Sequence, residues 1–82
     1  MVIIAFDENF QKIFSKIRDN AFKERIIKQI EKLKVNPEIG KPMRFNRKAT
    51  REIYIPPFRL SYAYIKNEDK IILLDFYHKD EQ

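Results

Sequence analysis

The chain opens on Val2-Ile3-Ile4-Ala5-Phe6, a short apolar run rich in β-branched residues that predicts a buried strand. Asp7 follows as a candidate N-cap, with Glu8 placing an acid in the first turn of a helix. Phe10, Ile13, Phe14 and Ile17 then recur at helical spacing, and Gln11, Lys12, Ser15, Lys16 and Arg18 fall outside that stripe. Asp19-Asn20 breaks the pattern. Asn20 is the expected cap of a second helix, whose stripe is Phe22, Ile26, Ile27, Ile30 and Leu33. Lys32 and Lys34 suit its C-terminal end, and Asn36-Pro37 stops it because a residue before proline resists the helical region. Helices joined this closely are expected to form an antiparallel hairpin.

From Pro37 to Thr50 the pattern is irregular, punctuated by Gly40 and Pro42, with a short edge strand expected at Met43–Phe45. Glu52 to Ile55 alternates, with Ile53 and Ile55 on one face and Glu52 and Tyr54 on the other. Pro56-Pro57 turns the chain into a second strand, Phe58 to Ile65. Its Phe58, Leu60, Tyr62 and Tyr64 face one way, and Arg59, Ser61 and Ala63 face the other. A polar hairpin loop, Lys66 to Lys70, leads into Ile71 to Phe76, expected as a central strand covered on both faces. The expected fold class is α+β. An N-terminal strand precedes a two-helix antiparallel hairpin packed on one face of a small, mainly antiparallel sheet of about four strands. Residues 1–82 are expected to form a single domain. No element remains to cover the opposite face of the sheet, so it is either a working surface or the seat of a partner.

Composition narrows the chemistry. The chain has no cysteine, which removes disulfide frameworks and thiolate metal sites, and a cytoplasmic location is the simplest expectation. The N-terminal apolar run has no basic lead-in and is far too short for a signal peptide or a membrane span. A single glycine excludes glycine-rich phosphate loops and dinucleotide fingerprints. The net charge is +5, and residues 36–55 carry five cations against two anions. Lys41, Arg44, Arg47, Lys48 and Arg51 have no acid among them, so an anionic partner is implied, nucleic acid or an acidic protein. That cluster suits the positioning of a phosphate backbone without base readout. One histidine and scattered carboxylates do not make a metal-ligand set.

Arg59 is the sharpest candidate, because it lies on a face otherwise built from small residues, with floor space around its guanidinium. A planar guanidinium pairs with phosphate oxygens at two points, and it pairs equally well across a sheet with an acid such as Glu52 or with Asp75. His78 is the only histidine, a residue type suited to proton transfer, and is followed by Lys79. If the last strands are neighbours, Arg59, His78 and Lys79 can meet near one surface, although regular alternation points His78 and Lys79 to opposite faces. Glu52 with Tyr54 forms a second acid–base set on the open face.

This order of elements resembles the RelE/ParE toxin superfamily of bacterial and archaeal toxin–antitoxin pairs. The similarity is carried by Gly40-Lys41-Pro42-Met43-Arg44, by Phe58-Arg59-Leu60-Ser61-Tyr62, and by the His78-Lys79 pair closing the last strand. The resemblance implies a toxin of a type II pair that acts as a metal-independent, ribosome-dependent mRNA endonuclease. In such an enzyme the RNA 2′-hydroxyl attacks the adjacent phosphate and translation is inhibited. It implies catalytic roles for Arg59, His78 and Lys79, with Arg51 and Tyr54 beside them, and RNA-backbone contacts from Lys41, Arg44, Arg47 and Lys48. It implies no cofactor and no membrane. The partners it implies are ribosome, mRNA and a cognate antitoxin, small and acidic with amphipathic helical segments. Relatives with strong nuclease activity often carry two basic residues where Glu52 and Tyr54 stand, and many have a tyrosine beyond the histidine–basic pair, where this chain has Asp80-Glu81-Gln82. Tyr54 and Tyr77 are the candidates to stand in for it. The alternatives are a ParE-like toxin that inhibits DNA gyrase and cuts nothing, or a non-toxic RNA- or protein-binding module.

Overall fold

A computed structural model describes residues 2–42 and 50–78 of the 82-residue chain. The edge strand expected at Met43–Phe45, and the candidates Arg44, Arg47, Lys48 and Lys79, lie outside the described residues. The elements are β1 (Ile3–Phe6), α1 (Glu8–Ser15), α2 (Asn20–Val35), β2 (Lys41–Pro42), β3 (Thr50–Ile55), β4 (Phe58–Ile65) and β5 (Lys70–His78). The sheet has five strands in the order β1-β5-β4-β3-β2. β1 runs parallel to β5 and every other pairing is antiparallel. The α+β architecture agrees with the pattern of the chain, but the strand count is five rather than four. The added strand is β2, where Lys41 pairs with Glu52 and Pro42 with Arg51. Two residues are too short for an alternation to be legible, and proline is tolerated there because β2 is an edge.

Local signals account for the element ends. Asp7 caps α1 by accepting the Asn9 N–H at 3.0 Å. The cap of α2 is Asp19, not Asn20: its Oδ1 accepts from the N–H groups of Ala21 at 3.0 Å and Phe22 at 3.3 Å. Those are the second and third helical positions, the donors an N-cap side chain reaches. Between β4 and β5 a short 3-10 turn, Lys66–Glu68, ends at Asp69, which takes a left-handed conformation at φ 50°. Aspartate tolerates that region better than most residues.

Both helices feed one core. Phe10 of α1 and Ile26, Ile30 and Leu33 of α2 are buried against Ile55, Leu60, Tyr62, Ile71, Leu73 and Phe76 of the sheet. Phe22 joins Phe58 and Phe76 in an aromatic cluster with ring centroids 4.9–5.7 Å apart. β5 is an interior strand between β1 and β4, the middle place falling to β4, and it is covered on one face only. Ile71, Leu73 and Phe76 are buried, whereas Ile72 and Leu74 remain partly exposed because no described element lies over the second face.

A β-bulge sets the phase of β5. Ser61 pairs with Asp75 and Tyr62 with Leu73, so Leu74 is an extra residue in the ladder. Leu73 and Phe76 therefore both reach the helix side, although three residues apart. The Asp75 side chain lies at this irregularity, where its Oδ1 accepts from the Phe76 N–H at 2.7 Å and from Asn9 Nδ2 at 3.0 Å.

The segment after α2 is tied to the sheet by Tyr62. Its hydroxyl donates to the Pro37 carbonyl at 2.8 Å and accepts from the Gly40 N–H at 3.0 Å. Arg51, directly across from Tyr62, donates to the carbonyls of Glu38 at 3.0 Å and Gly40 at 2.7 Å, and pairs with the Glu38 carboxylate at 3.7 Å. Gly40 is required by the close approach. A Cβ there would lie 2.7 Å from the Tyr62 hydroxyl and 2.9 Å from the Glu52 carbonyl.

Gly40→Ala is accordingly expected to destabilise the fold by about 1–3 kcal/mol through overpacking against backbone, measured by urea unfolding. Tyr62→Phe leaves two backbone groups unpaired and is expected to cost about 1–3 kcal/mol. Burial pushes the Tyr62 phenol above its ordinary 10.0, opposed in part by the Gly40 hydrogen bond and the Arg51 charge. The folded state thus holds the phenolic proton more tightly than the unfolded chain. The stability this confers is complete below about pH 10 and is lost as pH rises through the folded-state value, so the advantage of wild type over Tyr62→Phe should shrink in that window.

Candidate functional site

The open face of the sheet brings several of the candidate side chains together. Register places Tyr54 of β3, Arg59 of β4 and Tyr77 of β5 in one row across three neighbouring strands. The next row holds Lys41, Glu52, Ser61 and Asp75. Ser61 is only 5% exposed, so it forms the floor between the two flanking side chains, Glu52 and Arg59. Arg59 Nη1 donates to Glu52 Oε1 at 2.5 Å, and the Tyr77 hydroxyl donates to Glu52 Oε2 at 2.8 Å. The guanidinium carbon lies 5.7 Å from the centre of the Tyr54 ring, within cation–π range. The Arg59 and Glu52 side chains are 31% and 17% exposed, so water screens this pair less than a fully exposed one. Arg59 Nε is buried and has no hydrogen-bond partner among the described residues.

The other candidates are distributed differently. His78 pairs with Phe58 and packs its ring edge-on against it at 5.3 Å, on the helix side of the sheet and away from Arg59. Arg51 is also on the helix side, beside Tyr62, with its donors committed to Glu38 and Gly40. Tyr54 lies on the open face with Arg59, 49% exposed. Lys41 is exposed and shares that face, opposite Glu52. The structure therefore brings together Arg59, Glu52, Tyr54, Tyr77 and Lys41, and leaves His78 and Arg51 outside. Tyr77 is the member that alternation alone does not bring to this row. The one signal for it in the chain is Asp75, an acid inside an apolar strand, where strands disfavour aspartate and irregularities occur. Among the described residues, no group of three or more His, Cys, Asp or Glu side chains is placed to hold a metal ion.

A second feature lies at the β1 edge. Ile4 and Phe6 of β1, Phe10 and Phe14 of α1, and Ile27 and Ile30 of α2 line an apolar groove of about 750 Å³, with Gln11, Glu31 and Lys34 among its polar lining. Phe6 and Ile27 are 48% and 47% exposed there. Among the described residues no helix is long and apolar enough to cross a membrane.

Comparison with solved structures finds the same fold in several toxin chains. A chain of the intact E. coli RelBE toxin–antitoxin complex superposes with a TM-score of 0.82 at 18% identity, covering 95% of this chain and 96% of that one. The YoeB/ParE toxin from Agrobacterium tumefaciens gives 0.82 at 12% identity, over 94% and 98% of the two chains. A chain of the archaeal RelE–RelB complex from Pyrococcus horikoshii OT3 gives 0.77 at 12% identity, over 99% and 98%. Comparison with curated proteins returned no match. The model of the family described as ParE toxin of type II toxin–antitoxin system, parDE, matches residues 4–82. With nearly its whole length matched, this chain belongs to that family of toxins within the RelE/ParE superfamily.

Proposed function

We propose that this toxin is a RelE-like, ribosome-dependent mRNA endonuclease that needs no metal and acts in the cytoplasm to stop translation. The observation that carries the reading is Arg59, set on an open sheet face between Tyr54 and Tyr77 over the small floor of Ser61. Cleavage through the RNA 2′-hydroxyl needs a base, an acid for the leaving oxygen, and positive charge against the developing dianion. Arg59 supplies the charge. Glu52, Tyr54 and Tyr77 are the groups within reach for proton transfer. Lys41 stands at the edge of this face, and Arg44, Arg47 and Lys48 follow it in the chain as cations for the RNA backbone. Lys79, next in the sequence after His78, would add a further cation, while His78 and Arg51 take packing and anchoring roles.

A second reading, a ParE-like toxin that inhibits DNA gyrase without cutting RNA, is favoured by one observation. Glu52 neutralises Arg59, the one cation in the Tyr54–Tyr77 row. The relatives solved with RelB support a cognate antitoxin for this chain as well. We assign an amphipathic, acidic antitoxin segment to the apolar groove along β1, α1 and α2, with its acidic side toward the cations of the toxin.

In a translation reaction whose RNA ends are mapped by primer extension, wild type is expected to produce new cleavage sites. Arg59→Ala is expected to lower that cleavage by about 10²–10³-fold, the usual cost of losing one transition-state charge contact. Inhibition of gyrase supercoiling with mRNA left intact would decide for the second reading. Ile27→Glu, which puts a charge into the groove, is expected to weaken antitoxin binding by about 2 kcal/mol in a titration while leaving toxicity unchanged.

A further inference from the structure

The Glu52 carboxylate is the anion that Arg59 holds on the open face. One of its oxygens is 2.5 Å from Arg59 Nη1 and the other is held at 2.8 Å by the Tyr77 hydroxyl. We propose that Glu52 is an internal counter-ion that occupies the anion site of Arg59, so that an RNA phosphodiester binds there only by displacing the Glu52 carboxylate. This rests on the reading of the open face as an RNA-binding surface.

Three observations make the carboxylate displaceable rather than a permanent partner. First, Tyr77 takes one carboxylate oxygen, which leaves Arg59 a one-point contact instead of the two-point fork a guanidinium makes with phosphate. Second, Arg59 Nε has no hydrogen-bond partner among the described residues, so the carboxylate answers only part of the guanidinium. Third, Lys41 stands directly across from Glu52 on the same face and offers the displaced carboxylate another cation. A phosphate and Glu52 cannot share Arg59, because two like charges in a partly desolvated site repel strongly. The resting toxin is therefore self-screened, and its affinity for RNA is set by a competition between two anions for one arginine.

The test is binding of a short 2′-O-methyl oligoribonucleotide, which cannot be cut through its 2′-position, followed by fluorescence anisotropy at low salt without ribosomes. Glu52→Gln is expected to tighten binding about tenfold, and Glu68→Gln, which removes an acid from the distant turn, by less than about twofold. Arg59→Gln is expected to weaken binding, and in its background the gain from Glu52→Gln should vanish. The proposal is overturned if Glu52→Gln gains no more than Glu68→Gln, or if its gain persists without Arg59. If Arg59→Gln weakens binding and Glu52→Gln does not tighten it, the counter-ion idea alone is lost. If Arg59→Gln leaves affinity unchanged, the RNA reading of this face falls and the proposal falls with it. Tightening toward a poly-glutamate peptide but not toward RNA also overturns it, and assigns the site to an acidic protein segment.

Discussion

The register shift between β4 and β5 governs which side chains reach each face of the sheet. Pairing Tyr62 with Leu73 and Ser61 with Asp75 leaves Leu74 as an extra residue, and every position beyond it changes face. Without the shift, continuing the ladder from Tyr62 would set Phe76 opposite Arg59 and bury Tyr77. With it, Phe76 enters the aromatic cluster with Phe22 and Phe58, and Tyr77 stands beside Arg59. The core and the open face are thus coupled. The same extra residue that completes the packing under the helices assembles the row of Tyr54, Arg59 and Tyr77 above it. Bulges near working sites commonly re-aim side chains in this way.

The open face then depends on how few charges it holds. Arg59 is flanked by two tyrosines, and its charge is met by Glu52 in a setting where water screens poorly. The ring of Tyr54 and the Glu52 carboxylate both contact the guanidinium and so favour one placement of it. The same contacts also lower the net positive potential of this face.

The helix-side anchor performs a different task. Tyr62 and Arg51 clamp the chain from Pro37 to Gly40 onto β3 and β4 through five backbone and side-chain contacts. That clamp fixes the point from which Lys41 enters the sheet as β2. Arg51 thus contributes to the open face indirectly, by holding the strand that carries Lys41, rather than by facing a phosphate itself.

The amino-acid pattern by itself determined a good deal: the strand and helix order, the two apolar stripes, the alternation of Phe58 to Tyr64, and Arg59 on a face of small residues. These are local properties, because burial imposes a period of two on strands and 3.6 on helices, and the period is written in consecutive residues. The partnership of Arg59 with Glu52 was also legible, as a cross-strand pair permitted by alternation. The tertiary structure alone decided the rest. Two-residue β2 carries no period to read, and the Asp19 cap is separated from Asn20 only by backbone geometry. The place of His78 against Phe58, and of Tyr77 beside Arg59, follows from a single unpaired residue in β5. A bulge shifts the phase of everything after it while leaving the composition of the strand unchanged. It is chosen by how Leu73 and Phe76 fill the core from two positions three apart, and that choice exists only once the helices are packed.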